Sequence, residues 1–135
     1  MNELIKIEIV TPLELLKSKE TKMSVLPGSE GELGIMSRHT PLMTLLNRGI
    51  IKLFNEDNLV TDQIAIDGGV ADVSEEGITV LSERAEVLGS TASNKQIIEE
   101  KINDLNFKLK KPEFQDDQIF KSEIDFLNFV LEKSN

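Results

Sequence analysis

The run Ile64-Ala65-Ile66-Asp67-Gly68-Gly69-Val70-Ala71-Asp72-Val73 decides the fold. Ile64 and Ile66 alternate with smaller or polar neighbours, the period of two of a half-buried strand, and Val70 to Val73 continues the strand character. The paired glycines between them suggest a bulge or tight bend. Downstream, Glu75-Glu76-Gly77 reads as a turn and Ile78 to Leu81 as the next strand. Upstream, Leu59 and Val60 follow a polar turn at Glu56-Asp57-Asn58. Ile50 to Phe54 and Leu42 to Leu46 are apolar runs separated by Asn47-Arg48-Gly49. Met23 and Val25 alternate with Lys22 and Ser24 before a Pro27-Gly28 turn, and Ile5, Ile7 and Ile9 alternate with Lys6 and Glu8 before Thr11-Pro12. Short strands with turn signals about every ten residues predict an antiparallel β-sandwich or barrel.

The pattern changes at Gly89. Gly89 to Ala92 reads as a short linker, and Ser93 with Gln96 has capping-box spacing. Ile98, Ile102, Leu105 and Leu109 then recur at helical spacing up to Lys110-Lys111 and Pro112. Asp116-Asp117 suits a second helix start, and Phe120, Ile124, Leu127 and Leu131 repeat the spacing. The expected organisation is a β-sandwich over residues 1–89 and a two-helix antiparallel hairpin over 90–135. Five of the six phenylalanines lie after residue 106, which predicts an aromatic seam within the hairpin.

The 135 residues carry a net charge of −9, with −7 of it in residues 1–89 (8 basic, 15 acidic), so a nucleic-acid backbone is a poor partner. With no cysteine and one histidine, thiolate zinc sites, disulfides and cysteine nucleophiles are excluded. No apolar run reaches the roughly 20 residues of a membrane span. Met1 to Val10 resembles neither a signal peptide nor a transit segment, and a cytosolic origin is expected.

Candidate chemistry is sparse. His39, beside Pro41, could serve as a general base, but no serine or aspartate stands at a recognisable spacing. Gly28 to Gly34 is glycine-rich, yet Glu30 and Glu32 repel phosphate and no Gly-Lys-Ser/Thr follows. Either a sharp turn or a rigid acidic docking loop fits. Asp67-Gly68-Gly69 is a weak metal signal and a better bulge. These residues favour binding or structure over catalysis.

In order along the chain, Val25-Leu26-Pro27-Gly28-Ser29-Glu30-Gly31-Glu32-Leu33-Gly34-Ile35, His39-Thr40-Pro41-Leu42, Gly49-Ile50-Ile51, Ile66-Asp67-Gly68-Gly69-Val70 and Ile78-Thr79-Val80-Leu81 resemble the epsilon subunits of bacterial F-type ATP synthases, which are homologous to the mitochondrial delta subunit. The resemblance implies a flattened ten-stranded sandwich followed by two helices. It implies a non-catalytic subunit of the central-stalk rotor on the cytoplasmic face of the bacterial inner membrane, bound to gamma and the c-ring, coupling ion flow to ATP synthesis, and needing no cofactor or metal. Ser29, Glu30, Gly31 and Glu32 match the loop that faces the c-ring, and His39 lies in a segment near the same lower edge and gamma.

In several such proteins the hairpin contacts the alpha and beta subunits and brakes ATP hydrolysis, with basic residues of its last helix against an acidic segment of the beta subunit, and some bind ATP through an Ile/Leu-Asp-x-x-Arg-Ala motif. Lys95 to Ile102 lacks that motif, and no arginine follows Arg84. From Glu113 to Lys133 the balance is −4, from two lysines against six acids. The departure predicts no ATP binding at that site and weak inhibition by charge pairing. Two rival readings remain: a β-sandwich adaptor of unrelated partner, and a small hydrolase or metal enzyme built on His39.

Overall fold

A computed structural model describes residues 3–89 and 92–134 of the chain. Eight strands are followed by two helices: β1 (Ile5–Val10), β2 (Leu15–Thr21), β3 (Met23–Gly28), β4 (Gly31–Met36), β5 (Leu42–Phe54), β6 (Val60–Ser74), β7 (Gly77–Leu81), β8 (Ala85–Val87), α1 (Ala92–Leu109) and α2 (Gln118–Lys133), with a short 3₁₀ turn at Pro112–Phe114. They form two compact units, Met1–Val87 and Leu88–Asn135.

β5 and β6 organise the first unit. They pair in one register from Leu42↔Val73 to Leu53↔Asp62, then slip at Phe54. Within that ladder the inward parity reverses. Ile64 and Ile66 are buried (as is Ala65 between them), but beyond the glycines the buried residues are Ala71 and Val73. In β5, Leu46 is buried before Gly49, and Ile51 and Leu53 after it. A strand that changes which face it buries has turned a corner, and one hairpin thereby serves two layers.

The first half of β5 and the second half of β6 join β7, β1 and β2. The second half of β5 and the first half of β6 join β8, β3 and β4. Counting each half separately gives the ten strands that the resemblance implied. β1 and β7 run parallel, the single departure from the antiparallel pattern among the described pairs.

Gly68 and Gly69 make the corner, at φ 72° and 139°. A Cβ on Gly69 would stand 2.2 Å from the Leu81 carbonyl oxygen, so any side chain would push β7 away. The two layers close on one core of Ile7, Ile9, Leu26, Ile35, Ile51, Leu53, Ile64, Ile66, Val73, Ile78 and Val80, all buried. Each such side chain contributes about 1.5–3 kcal/mol.

Three strands escaped the sequence reading. β2 has no clean alternation, because Lys17 and Lys19 are partly covered while they reach Asp62. β4 was hidden by its two glycines, and β8 is only three residues long. Asn47-Arg48-Gly49 is no separator, since the β5 ladder runs through it.

In the second unit α1 and α2 pack on each other. α2 is capped by Asp117, whose carboxylate accepts the Ile119 and Phe120 amides at 2.9 and 3.1 Å. α1 begins at Ala92, so Ser93 is a helical residue and not the residue before the helix; its side chain, with Ser90 and Thr91 of the expected linker, lies outside the described residues. Ile98, Ile102 and Leu105 are buried as expected. On α2 the buried residues are Phe126, Leu127 and Val130, a stripe rotated from the expected one. The phenylalanines form two pairs, Phe114 with Phe120 and Phe126 with Phe129, while Phe107 is largely exposed beneath Lys111.

Candidate docking surfaces

Four of the sequence-selected residues sit together. Ser29 and Glu30 form the two-residue turn of the β3–β4 hairpin, closed by the Gly28↔Gly31 pair, and Gly31 and Glu32 open β4. Gly31 has φ 129° with open space where a Cβ would lie. All four residues are exposed. The Ser29 amide donates to the Leu45 carbonyl at 2.9 Å and so fixes the turn against β5. What the sequence presented as a glycine-rich loop is a hairpin tip hydrogen-bonded to β5 and carrying two carboxylates.

His39 lies elsewhere. It follows the far end of β4, in the segment that carries the chain from β4 to β5, and is half-buried. Its surroundings form an open cavity of about 750 Å³ lined by Glu3, Lys6, Glu20, Arg38, Glu75 and Glu76 among others, and by none of Ser29 to Glu32. The expected common edge is therefore two places, one at each end of β4.

The His39 segment is a tight turn. The His39 amide donates to the Met36 carbonyl at 3.2 Å. Arg38, third of the four residues, has φ 68°. Positive φ at that position alone is the pattern of a type II turn. Nδ1 of His39 stands 2.7 Å from the Thr40 carbonyl oxygen, so Nδ1 carries the proton and Nε2 is the acceptor in the neutral ring. No serine or aspartate side chain is hydrogen-bonded to the ring among the described residues.

Two charge clusters brace the sandwich. At the corner, Asp67 takes Arg48 Nε at 2.8 Å and Arg84 at 2.9 Å, one on each carboxylate oxygen. The residue that read as a weak metal ligand is an ion-pair hub joining β5 to the β7–β8 link. At the open side, Asp62 of β6 accepts from Lys17 at 2.8 Å, from Lys19 and from the Thr61 hydroxyl at 2.7 Å. β2 and β6 are not neighbours in the sheet, so these pairs tie one layer to the other. Burial alone pushes the Asp62 carboxyl up, but the hydrogen bonds from Lys17, Lys19 and Thr61 and the Lys17 charge outweigh it and hold the group well below the ordinary carboxylate range. Among the described residues no group of three acids or histidines is placed to hold a metal, and no helix is long and apolar enough to cross a membrane.

Residues 4–87, most of the chain, match the family model described as the ATP synthase delta/epsilon chain β-sandwich domain. The chain belongs to the ATP synthase delta/epsilon chain family. Proteins named ATP synthase epsilon chain are similar to it. The one from Gluconacetobacter diazotrophicus is 40% identical over 84 residues, covering 62% of this chain and 59% of that one. The one from Campylobacter lari is 38% identical over 94 residues, with 70% and 72% covered. The one from Campylobacter jejuni strain RM1221 is 46% identical over 85 residues, with 63% and 65% covered. The match thus spans about three fifths of the Gluconacetobacter relative's length.

Among solved structures, a chain of the Euglena gracilis mitochondrial ATP synthase (OSCP/F1/c-ring in rotational state 1) is similar in fold, with TM-score 0.60, 20% identity and 96% of this chain and 78% of that one covered. A chain of the Tetrahymena thermophila central stalk and c-ring gives TM-score 0.51 at 14% identity, covering 63% and 67%. The family model takes in all the sequence-selected docking residues, Ser29 to Glu32 and His39, and stops before the helices.

Proposed function

We propose that this family member is a non-catalytic rotor subunit of the central stalk, bound to the gamma subunit and the c-ring, and that it couples ion flow to ATP synthesis. The observation that carries the reading is the family membership of the whole sandwich, residues 4–87. The geometry supports two separate contacts. Ser29, Glu30, Gly31 and Glu32 present an acidic tip suited to basic loops of a c-ring. His39 presents a half-buried acceptor at the other end of β4, suited to gamma. Attachment is peripheral, through the complex at the cytoplasmic face of the membrane, and needs no cofactor.

The hairpin is proposed to regulate ATP hydrolysis only weakly. α2 carries two lysines among its charges against a majority of acids, and an acidic segment on the beta subunit would repel it.

The test is titration of the purified chain onto a catalytic head complex of alpha, beta and gamma subunits prepared without it. Tight one-to-one binding, retained by residues 1–89 alone, is the expected result. Absence of binding to a competent complex from the same source overturns the assignment.

A further inference from the structure

The turn that carries His39 has an unusual residue at its tightest point. The third position of a type II turn favours glycine, because a Cβ is disfavoured at positive φ. Here it is Arg38, at φ 68°. The side chain that holds it comes from outside the turn. Glu3, just before β1, accepts the Ser37 hydroxyl on Oε2 at 3.1 Å and the Arg38 guanidinium on Oε1 at 2.7 Å. One carboxylate therefore grips both central residues of the turn. The next peptide carries His39, whose ring is locked in one tautomer by the Thr40 carbonyl. Nε2 has no hydrogen-bond partner among the described residues.

We propose that Glu3 is a positioning residue: by clamping Ser37 and Arg38 it holds the turn in its left-handed form and presents His39 Nε2 as a preset acceptor for a hydrogen-bond donor on the partner subunit. The proposal rests on the docking reading given above for His39. An exposed carboxylate–guanidinium pair contributes little to folding, since Arg38 is mostly in water. Its effect falls instead on which turn conformation is populated before the partner arrives, and preorganisation of that kind appears in affinity.

The experiment is a double-mutant cycle on the full chain. Glu3→Gln, Arg38→Gly, the double variant and His39→Ala are titrated onto the alpha–beta–gamma complex, with thermal melts recorded on each. Glu3→Gln is expected to weaken binding roughly fivefold with an unchanged melt. Arg38→Gly in the Glu3→Gln background is expected to restore affinity to within about twofold, because glycine takes positive φ without a clamp. In parallel, ring ¹⁵N shifts of His39 in the isolated chain are expected to show one Nδ1–H tautomer in the parent, averaging in Glu3→Gln, and recovery in the double variant. Parent-like affinity of Glu3→Gln, or a double variant as weak as Glu3→Gln, overturns the proposal. If the parent chain itself does not bind, the function proposed above fails, and the tautomer series still decides whether Glu3 sets the turn.

Discussion

At the scale of single residues, two side chains carry more than their neighbours. Asp62 joins the layers where the sheet is open, and its folded-state carboxyl titrates below the ordinary range. A depressed carboxylate stabilises the fold above its unfolded pKa of about 4 and loses that contribution as pH falls through the folded value. Melts recorded from pH 7 down to pH 2 are therefore expected to decline at the acid end, and Asp62→Asn to flatten that decline while lowering stability at pH 7 by about 1 kcal/mol, since the lysines are partly exposed. A variant with the parent's acid limb would show that the link between layers is not made by this group. Gly69 is the other. Gly69→Ala forces a Cβ onto the Leu81 carbonyl at positive φ and is expected to cost about 2–4 kcal/mol in denaturant unfolding. Gly31→Ala, equally left-handed but open to solvent, is expected to cost about 1 kcal/mol. Equal costs would mean that the corner is not sterically tight.

At the scale of elements, the hairpin departs from what its position would suggest. α2 is well capped by Asp117, yet its charges are mostly acidic, while the lysines gather on α1 and just after it. Removing residues 90–135 from an assembled complex is expected to raise ATP hydrolysis by less than about twofold, because repulsion rather than attraction would govern its approach to an acidic partner. Calorimetric titration of ATP into the isolated chain is expected to show no micromolar binding. The segment Lys95 to Ile102 supplies two cations, Lys95 and Lys101, and no arginine fork to a triphosphate. A large release of hydrolysis on truncation, or a measurable ATP isotherm, contradicts these expectations.

At the scale of the whole molecule, an acidic sandwich presents two loops from opposite ends of one edge strand. The turn of the acidic tip at Ser29 to Glu32 is closed by a hairpin pair and by the Leu45 carbonyl. Glu30→Gln with Glu32→Gln is expected to slow assembly onto c-ring-containing complexes several-fold at low salt and to lessen the salt dependence of association. The effect on the head complex lacking the c-ring is expected to be small. Identical kinetics in both complexes would remove the acidic tip from the interface.

Legibility followed the physical signal. Strict alternation in Ile5 to Ile9, the paired glycines at 68 and 69 and the spacing of Ile98, Ile102 and Leu105 are local patterns, and local patterns determine which segments are strands or helices and which face they bury. The ordered Gly28–Gly34 and His39–Leu42 segments likewise marked the docking candidates. The sequence did not show that Gly68-Gly69 reverses the buried parity so that one hairpin builds two layers, because parity is defined only against partners. It did not reveal β2, whose lysines are drawn to an aspartate 43 or 45 residues away, nor that Asp67 is held by two arginines. The resemblance put His39 near the same edge as the acidic tip, whereas β4, unrecognised as a strand, lies between them. Nor could the sequence show Glu3 gripping a turn 34 residues on. Those are long-range contacts, and they exist only once hydrophobic closure of the two layers has brought distant charges within hydrogen-bonding reach.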